Sequence, residues 1–308
     1  CMPSLVKKLI SSFNPPDIRK FYKIHREIVH FMVRSAVKVN DGHFDKYVTA
    51  PDGHNIRVRI YPPRTIGNST RLLVFYHGGG WVIDDIDRYH KVCRQLAEMT
   101  GSYVLSVDYR LAPEHKYPAG LDDCYEVTRL VFANAARYGI KKRNIILIGD
   151  SAGGNLAAAV SLRARDSHEF RVRRQILIYP ATACEFGDDS PYLSMRQNGK
   201  GCLLTAERMR GYLDLYLNDI SQKDDPYVSP IKAASLKGLP ETLIITAEND
   251  PLRDEGEAFG KRLYNAGGNV RAFRIKNAYH GFFGTDLLRH PHAKEAVSII
   301  MYFLRLTD

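Results

Sequence analysis

From residue 43 onward, short β-rich runs alternate with stretches of helical period. The runs are Phe44–Thr49, Ile56–Tyr61, Leu72–Tyr76, Tyr103–Val107, Ile145–Ile148, Gln175–Tyr179, Leu243–Thr246 and Val270–Ile275. Pro51-Asp52-Gly53 lies between the first two, and this turn chemistry predicts a hairpin. Later runs such as Ile145–Ile148 are apolar at every position. Strands that are apolar on both faces suit a parallel sheet with helices on each side. Strand–helix alternation of this kind predicts a doubly wound α/β domain.

Two regions fall outside the alternation. Asn14-Pro15-Pro16-Asp17 has the chemistry of a helix start, with Asn14 as cap and Pro15 in the first turn. Beyond it Ile18, Phe21, Ile28, Phe31, Met32 and Ala36 recur at three- and four-residue steps, and His25 falls on the same face. That spacing predicts an amphipathic helix with basic residues on its other side. The second region is the sixty-residue connection between Pro180 and Glu241, with a helix-like stretch near Thr205–Leu217. A structureless loop of that length does not fit a compact domain. The expected organisation is therefore residues 1–42 as amino-terminal cap helices, and 43–308 as a catalytic domain with a cap insertion at about 185–235. Such a cap would lie over the carboxyl ends of the strands, where ligands bind in open α/β sheets.

The run Ile145–Ile148 leads into Gly149-Asp150-Ser151-Ala152-Gly153 and then a helical stretch. This is G-x-S-x-G in the strand–turn–helix context that a nucleophilic serine needs. The turn must be tight for the hydroxyl to stand clear of the sheet. Side chains at Gly149 and Gly153 would strike the neighbouring strand and helix. Ser151 also sits at a helix amino terminus, whose N–H groups favour developing negative charge. No phosphate-binding glycine motif is present.

The run Leu72–Tyr76 ends in His77-Gly78-Gly79-Gly80-Trp81. Three successive glycines lose much backbone entropy on folding. They make sense where N–H groups must approach a substrate oxygen closely. Gly78, Gly79 and Gly80 are the candidate oxyanion segment: two of their N–H groups, with that of Ala152, would hold a tetrahedral oxyanion. His77, at the base of the loop, reads as structural.

A serine nucleophile needs a base, and the base needs an acid to orient it. Among eleven histidines, His25 and His30 fall in the amino-terminal helix and His115 in a proline-flanked loop. His290 and His292 flank Pro291. His280 follows the last strand in a loop before the final helix and is the candidate base. Asp250, just past the run Leu243–Thr246, is the candidate orienting acid. Glu248 is the nearer rival, and Asp254 and Glu255 fall in the helix that follows. The order Ser151…Asp250…His280 is that of α/β hydrolases.

Composition narrows the picture further. The chain has 308 residues, 44% hydrophobic and 25% charged, ordinary values for a globular enzyme. The net charge of +10 is concentrated. Residues 1–40 hold eight basic and two acidic residues, and 161–175 hold five and two. A nucleic-acid binder would carry a broad basic face instead, so no nucleic-acid partner is expected. The basic amino-terminal arm leaves room for a peripheral contact with an anionic membrane surface. Five cysteines, Cys1, Cys93, Cys124, Cys184 and Cys202, form no C-x-x-C. No metal site or disulfide framework is expected, and buried free thiols fit a reducing compartment. The first thirty residues lack the pattern of a secretion signal, so a cytoplasmic location is expected.

Six ordered segments carry a family resemblance: HGGGW at 77–81, YRLAPE at 109–114, GDSAGG at 149–154, DPYVSP at 225–230, DPLRDE at 250–255 and HGF at 280–282. Together the chain resembles the hormone-sensitive-lipase-like family of α/β-hydrolase carboxylesterases. The resemblance implies the α/β-hydrolase fold, a mostly parallel eight-stranded sheet with helices on both faces and a helical cap. It also implies hydrolysis of short- to medium-chain acyl esters, with small-molecule esters as partners and no cofactor. Ser151 would be nucleophile, His280 base and Asp250 orienter. In some relatives the last strand pairs across a homodimer. Deacetylase or amidase chemistry uses the same three residues, and a few proteins of this fold bind ligands without catalysis. Trp81 is expected to line the acyl pocket or to pack in the core. One departure is visible: Asp84 in Val82-Ile83-Asp84-Asp85 stands where the family usually has glycine, which places a carboxyl near the pocket rim.

Overall fold

The computed structural model describes residues 16–33, 42–65, 70–201 and 204–305. Eight strands form one sheet: β1 (Phe44–Thr49), β2 (Asn55–Tyr61), β3 (Leu72–Tyr76), β4 (Tyr103–Val107), β5 (Ile145–Asp150), β6 (Arg174–Ile178), β7 (Glu241–Asn249) and β8 (Val270–Tyr279). Their spatial order is β1-β2-β4-β3-β5-β6-β7-β8. β1 and β2 form the expected hairpin, and β2 meets β4 antiparallel. All later pairings are parallel, from β4–β3 to β7–β8. This is the mostly parallel α/β sheet that the hydrophobic pattern predicts.

The continuous apolar runs are explained by two cores. In β3, Leu72, Val74 and Tyr76 join the core on one face while Leu73 and Phe75 join the core on the other. In β5, Ile145 and Leu147 alternate with Ile146 and Ile148 in the same way. The described helices are α1 (Ile18–Val33), α2 (His90–Thr100), α3 (Ala119–Asn134), α4 (Ala152–Ser167), α5 (Leu193–Asn198), α6 (Ala206–Tyr216), α7 (Arg253–Asn265) and α8 (Pro291–Arg305). α3, α4 and α7 cover the first face through Leu121, Leu156 and Phe259. α2 and α8 cover the second through Leu96 and Ile300. Both faces of each central strand are thus removed from water, so an alternating polar pattern has no place in them.

The long β6–β7 connection contains α5 and α6. α6 packs against α1: the Arg19 guanidinium donates to Asp214 at 2.8 Å, and Ile18 lies against Gly211. Both helices rest on loops that leave the carboxyl ends of β3 and β4. Arg26 donates to the carbonyls of Val82 and Ala112 at 2.7 Å each, and Tyr117 N–H donates to the Tyr216 carbonyl at 2.8 Å.

α1 turns most of its apolar stripe outward. Among its described residues Ile18 is the one buried apolar position, whereas Phe21, Ile28, Phe31 and Met32 are exposed. Arg19 and Arg26 hold the helix instead, through ion pairs and carbonyl contacts. Periodicity reveals that a helix has an apolar side, but not which side meets its neighbour. The helix begins at Ile18, with Asp17 accepting from Arg19 N–H at 3.1 Å. The expected cap at Asn14 and Pro15 lies outside the described residues, as do Ala36, Cys1 and Cys202. Cys93, Cys124 and Cys184 are free and buried. Among the described residues no helix is long and apolar enough to cross a membrane.

Candidate active site

Ser151 stands between the end of β5 and the first residue of α4, with φ 55° and ψ −119°. That backbone region is sparsely populated by anything but glycine. The surroundings hold it there. Ser151 N–H donates to the Ile178 carbonyl at 2.9 Å. A Cβ on Gly153 would collide with the carbonyls of Tyr76 and His77, and one on Gly149 with the Gly153 carbonyl. The elbow can thus close only because both flanking positions lack side chains.

His280 follows β8, and its Nε2 lies 2.9 Å from Ser151 Oγ. Its Nδ1 lies 2.7 Å from Asp250 Oδ2. Asp250 leaves the end of β7 fully buried, and its Oδ1 accepts from Leu252 N–H at 2.9 Å. Three residues widely separated in sequence are joined because β5, β7 and β8 run parallel and end on the same edge. Among the described residues no other histidine reaches Ser151. The rival acids are engaged elsewhere: Glu248 accepts from Asn277 N–H at 2.7 Å, and Asp254 from Ser194 N–H at 2.7 Å.

Glu255 is buried and accepts from the N–H groups of Thr182 and Ala183 at 2.6 and 3.1 Å. It thereby ties α7 to the loop after β6. Burial pushes its carboxyl up to about 8, against the pull of those two N–H groups. In an unfolded chain the group ionises near 4.5. Across that interval the unfolded state loses a proton that the native state retains. The stabilisation is complete below the lower value and lost as pH rises through the upper one, at up to about 1.4 kcal/mol per pH unit. Urea midpoints between about pH 5 and 8 should therefore fall for the wild type and change less for Glu255→Gln.

A cavity of about 230 Å³ opens above Ser151 and His280. Gly79, Gly80 and Ala152 line it, as do Trp81, Asp84 and Arg88. Phe186, Leu204, Met209 and Leu252 supply an apolar wall. Gly78 is set apart from its two neighbours. Its N–H donates to Asp150 Oδ1 at 3.0 Å, which leaves Gly79 and Gly80 as the glycines whose amides are available at the cavity. Gly80 has φ 60°, and a Cβ there would run into the Tyr212 ring. Trp81 lines the cavity and stacks on Tyr216 of α6, with centroids 4.6 Å apart.

Asp150, the residue before the serine, is buried at the end of β5. Its carboxyl accepts from Gly78 N–H, from Tyr89 OH at 2.8 Å and from Tyr179 OH at 3.2 Å. Tyr179 OH accepts in turn from Phe283 N–H at 3.1 Å, and the Tyr179 ring packs 4.6 Å from that of His280. One buried carboxyl thus links the glycine loop, α2 and the loop carrying His280. Burial raises its pKa, while the tyrosine hydroxyls and His280 oppose the shift. The signal was present as the aspartate before the serine, but its partners come from distant segments. His77 is structural in the way expected: its ring stacks on Tyr109 at 4.3 Å, and its carbonyl accepts from Tyr109 OH at 2.8 Å.

A mostly parallel eight-stranded sheet with a serine elbow at the end of β5 defines the α/β-hydrolase class. A family model described as alpha/beta hydrolase fold matches residues 73–284, and the chain belongs to that family. It is 33% identical over 283 residues to an arylesterase of Saccharolobus solfataricus, covering 92% of this chain and 89% of that one. It is 37% identical over 245 residues to the carboxylesterase NlhH of Mycobacterium tuberculosis, covering 79% and 75%. A solved hyperthermophilic esterase of the archaeon Pyrobaculum calidifontis superposes with a TM-score of 0.85 at 35% identity, covering 98% and 97%.

Proposed function

We propose that the chain is a serine carboxylesterase that hydrolyses short- to medium-chain acyl esters through an acyl-enzyme. The observation that carries this reading is the hydrogen-bonded series Ser151–His280–Asp250 at 2.9 and 2.7 Å, at the floor of a cavity. Ser151 Oγ attacks the ester carbonyl as His280 Nε2 accepts its proton. Asp250 holds Nδ1 protonated and stabilises the imidazolium that forms. The oxyanion is bound by the N–H groups of Gly79, Gly80 and Ala152. His280 then protonates the departing alcohol. In the second half-reaction it accepts a proton from water, which attacks the acyl carbon and releases the acid.

α1 and α6 act as a cap in this reading. They rest on the loops after β3 and β4, and α6 supplies Met209 and Tyr212 to the cavity wall. The volume of about 230 Å³ lies below the roughly 300–1,000 Å³ of clefts that enclose drug-sized ligands. Short acyl groups fit such a space and long chains do not. Hydrolysis of p-nitrophenyl acetate, butyrate, octanoate and palmitate tests this directly. Activity should peak at the short members and fall steeply at palmitate. Activity that rises through palmitate would overturn the chain-length reading, and no hydrolysis of any member would overturn the reaction class.

A further inference from the structure

We infer that Asp84 is a specificity-determining residue that accepts a hydrogen bond from a donor group, a hydroxyl or an ammonium, carried on one arm of the ester. The inference rests on the ester-hydrolase reading above and specifies its substrate class.

Asp84 lines the same cavity as Ser151 and His280. Its backbone is left-handed, with φ 66°, a conformation that aspartate tolerates but glycine adopts most easily. The turn that carries it is anchored to the oxyanion loop. The N–H groups of Val82 and Ile83 both donate to the Gly79 carbonyl, at 3.1 and 2.9 Å. Asp84 is therefore held in fixed relation to the amides of Gly79 and Gly80.

Its carboxyl is half-buried, yet no hydrogen bond or ion pair engages it among the described residues. Neighbouring Asp85, by contrast, accepts from Arg88 N–H at 2.7 Å, as a turn carboxylate commonly does. Burial raises the Asp84 pKa, and the charges of Arg88, His77 and His25 only partly oppose the shift. A partly desolvated carboxylate whose oxygens still open to the cavity and meet no donor among the described residues is free to accept a hydrogen bond from a ligand. Phe186, Leu204, Met209 and Leu252 give the same cavity an apolar lining. The cavity thus combines apolar lining with one carboxylate acceptor beside Arg88, which suits an ester with one alkyl arm and one donor-bearing arm.

Matched ester pairs test this. On the acyl side, methyl β-hydroxybutanoate and methyl β-aminobutanoate are compared with methyl isovalerate. On the alcohol side, ethylene glycol monoacetate is compared with propyl acetate, and dimethylaminoethyl acetate with isoamyl acetate. The reading is the ratio of kcat/KM within each pair, for the wild type, Asp84→Gly and Asp84→Asn. The wild type should favour the donor-bearing member of at least one pair by about tenfold or more, the scale of a hydrogen bond to a charged group. Asp84→Gly, which removes the acceptor and suits the backbone, should bring that ratio close to one. Asp84→Asn keeps an acceptor without the charge. It should retain part of a hydroxyl preference but lose an ammonium preference, which separates the two sources. A wild-type ratio near one in every pair, or a ratio unchanged in Asp84→Gly, would overturn the inference while leaving the esterase reading intact. Absence of Ser151-dependent hydrolysis of all these esters would overturn both.

Discussion

Ser151→Ala is expected to lower kcat for ester hydrolysis by about 10⁶-fold, the loss seen when a triad serine is removed. The geometry of the elbow sets this loss. Ser151 Oγ is the hydroxyl within hydrogen-bond distance of His280 Nε2, at 2.9 Å. Among the described residues no second nucleophile is poised at the cavity: Cys93, Cys124 and Cys184 are buried and do not line it, Tyr89 OH is held by Asp150 at 2.8 Å, and Thr285 OH by the Phe282 carbonyl at 2.6 Å. A companion substitution separates chemistry from strain. The backbone at φ 55°, ψ −119° costs a non-glycine residue roughly 1–3 kcal/mol. Ser151→Gly should be as inactive as Ser151→Ala yet unfold at a higher urea concentration, because glycine relieves the strain that alanine retains. Residual activity of more than a few per cent in a folded Ser151→Ala protein would remove the nucleophile assignment. Equal midpoints for the two variants would show that the turn stores no such strain.

The difference between what the sequence revealed and what it hid follows from the range of each interaction. Strand–turn–helix at Ile145–Ala159 is local, and its signals lie within fifteen residues of one another. The runs that became β3 and β5 were legible because burial on two faces leaves a composition with no alternative reading. Chain order and position after a strand singled out Asp250 and His280 without any knowledge of contacts. The missing pieces were long-range. Asp150 draws its partners from Gly78, Tyr89 and Tyr179, each on a different element, and no spacing rule links them. The division between Gly78 and its two neighbours depends on which amide meets Asp150. The exposed stripe of α1 could not be read because Arg19 and Arg26, on the polar side, make the docking contacts. Asp84 lies between these cases: its residue type was visible as unusual, while its lack of a partner could be seen only in three dimensions.

Asp250→Asn is expected to lower kcat by about 10⁴-fold, as the equivalent change does in a serine protease triad. Asparagine has the same shape, so the Leu252 N–H bond to its oxygen at 2.9 Å survives and the fold is kept. The change acts on the proton. With a carboxylate at 2.7 Å, His280 carries its hydrogen on Nδ1 and presents a lone pair on Nε2 to Ser151. An amide NH₂ in that position donates to Nδ1 and drives the hydrogen onto Nε2. The ring then points a donor at the serine hydroxyl and cannot take its proton. The interaction lost belongs to the transition state, so kcat and kcat/KM should fall together while KM stays near its original value. Glu248→Gln is the matched control. Its carboxyl meets Asn277 N–H, so its kcat should change by no more than a few-fold. If Glu248→Gln showed the large loss and Asp250→Asn the small one, the acid would be reassigned, because His280 has a single Nδ1 to be oriented and the two carboxyls leave β7 only two residues apart.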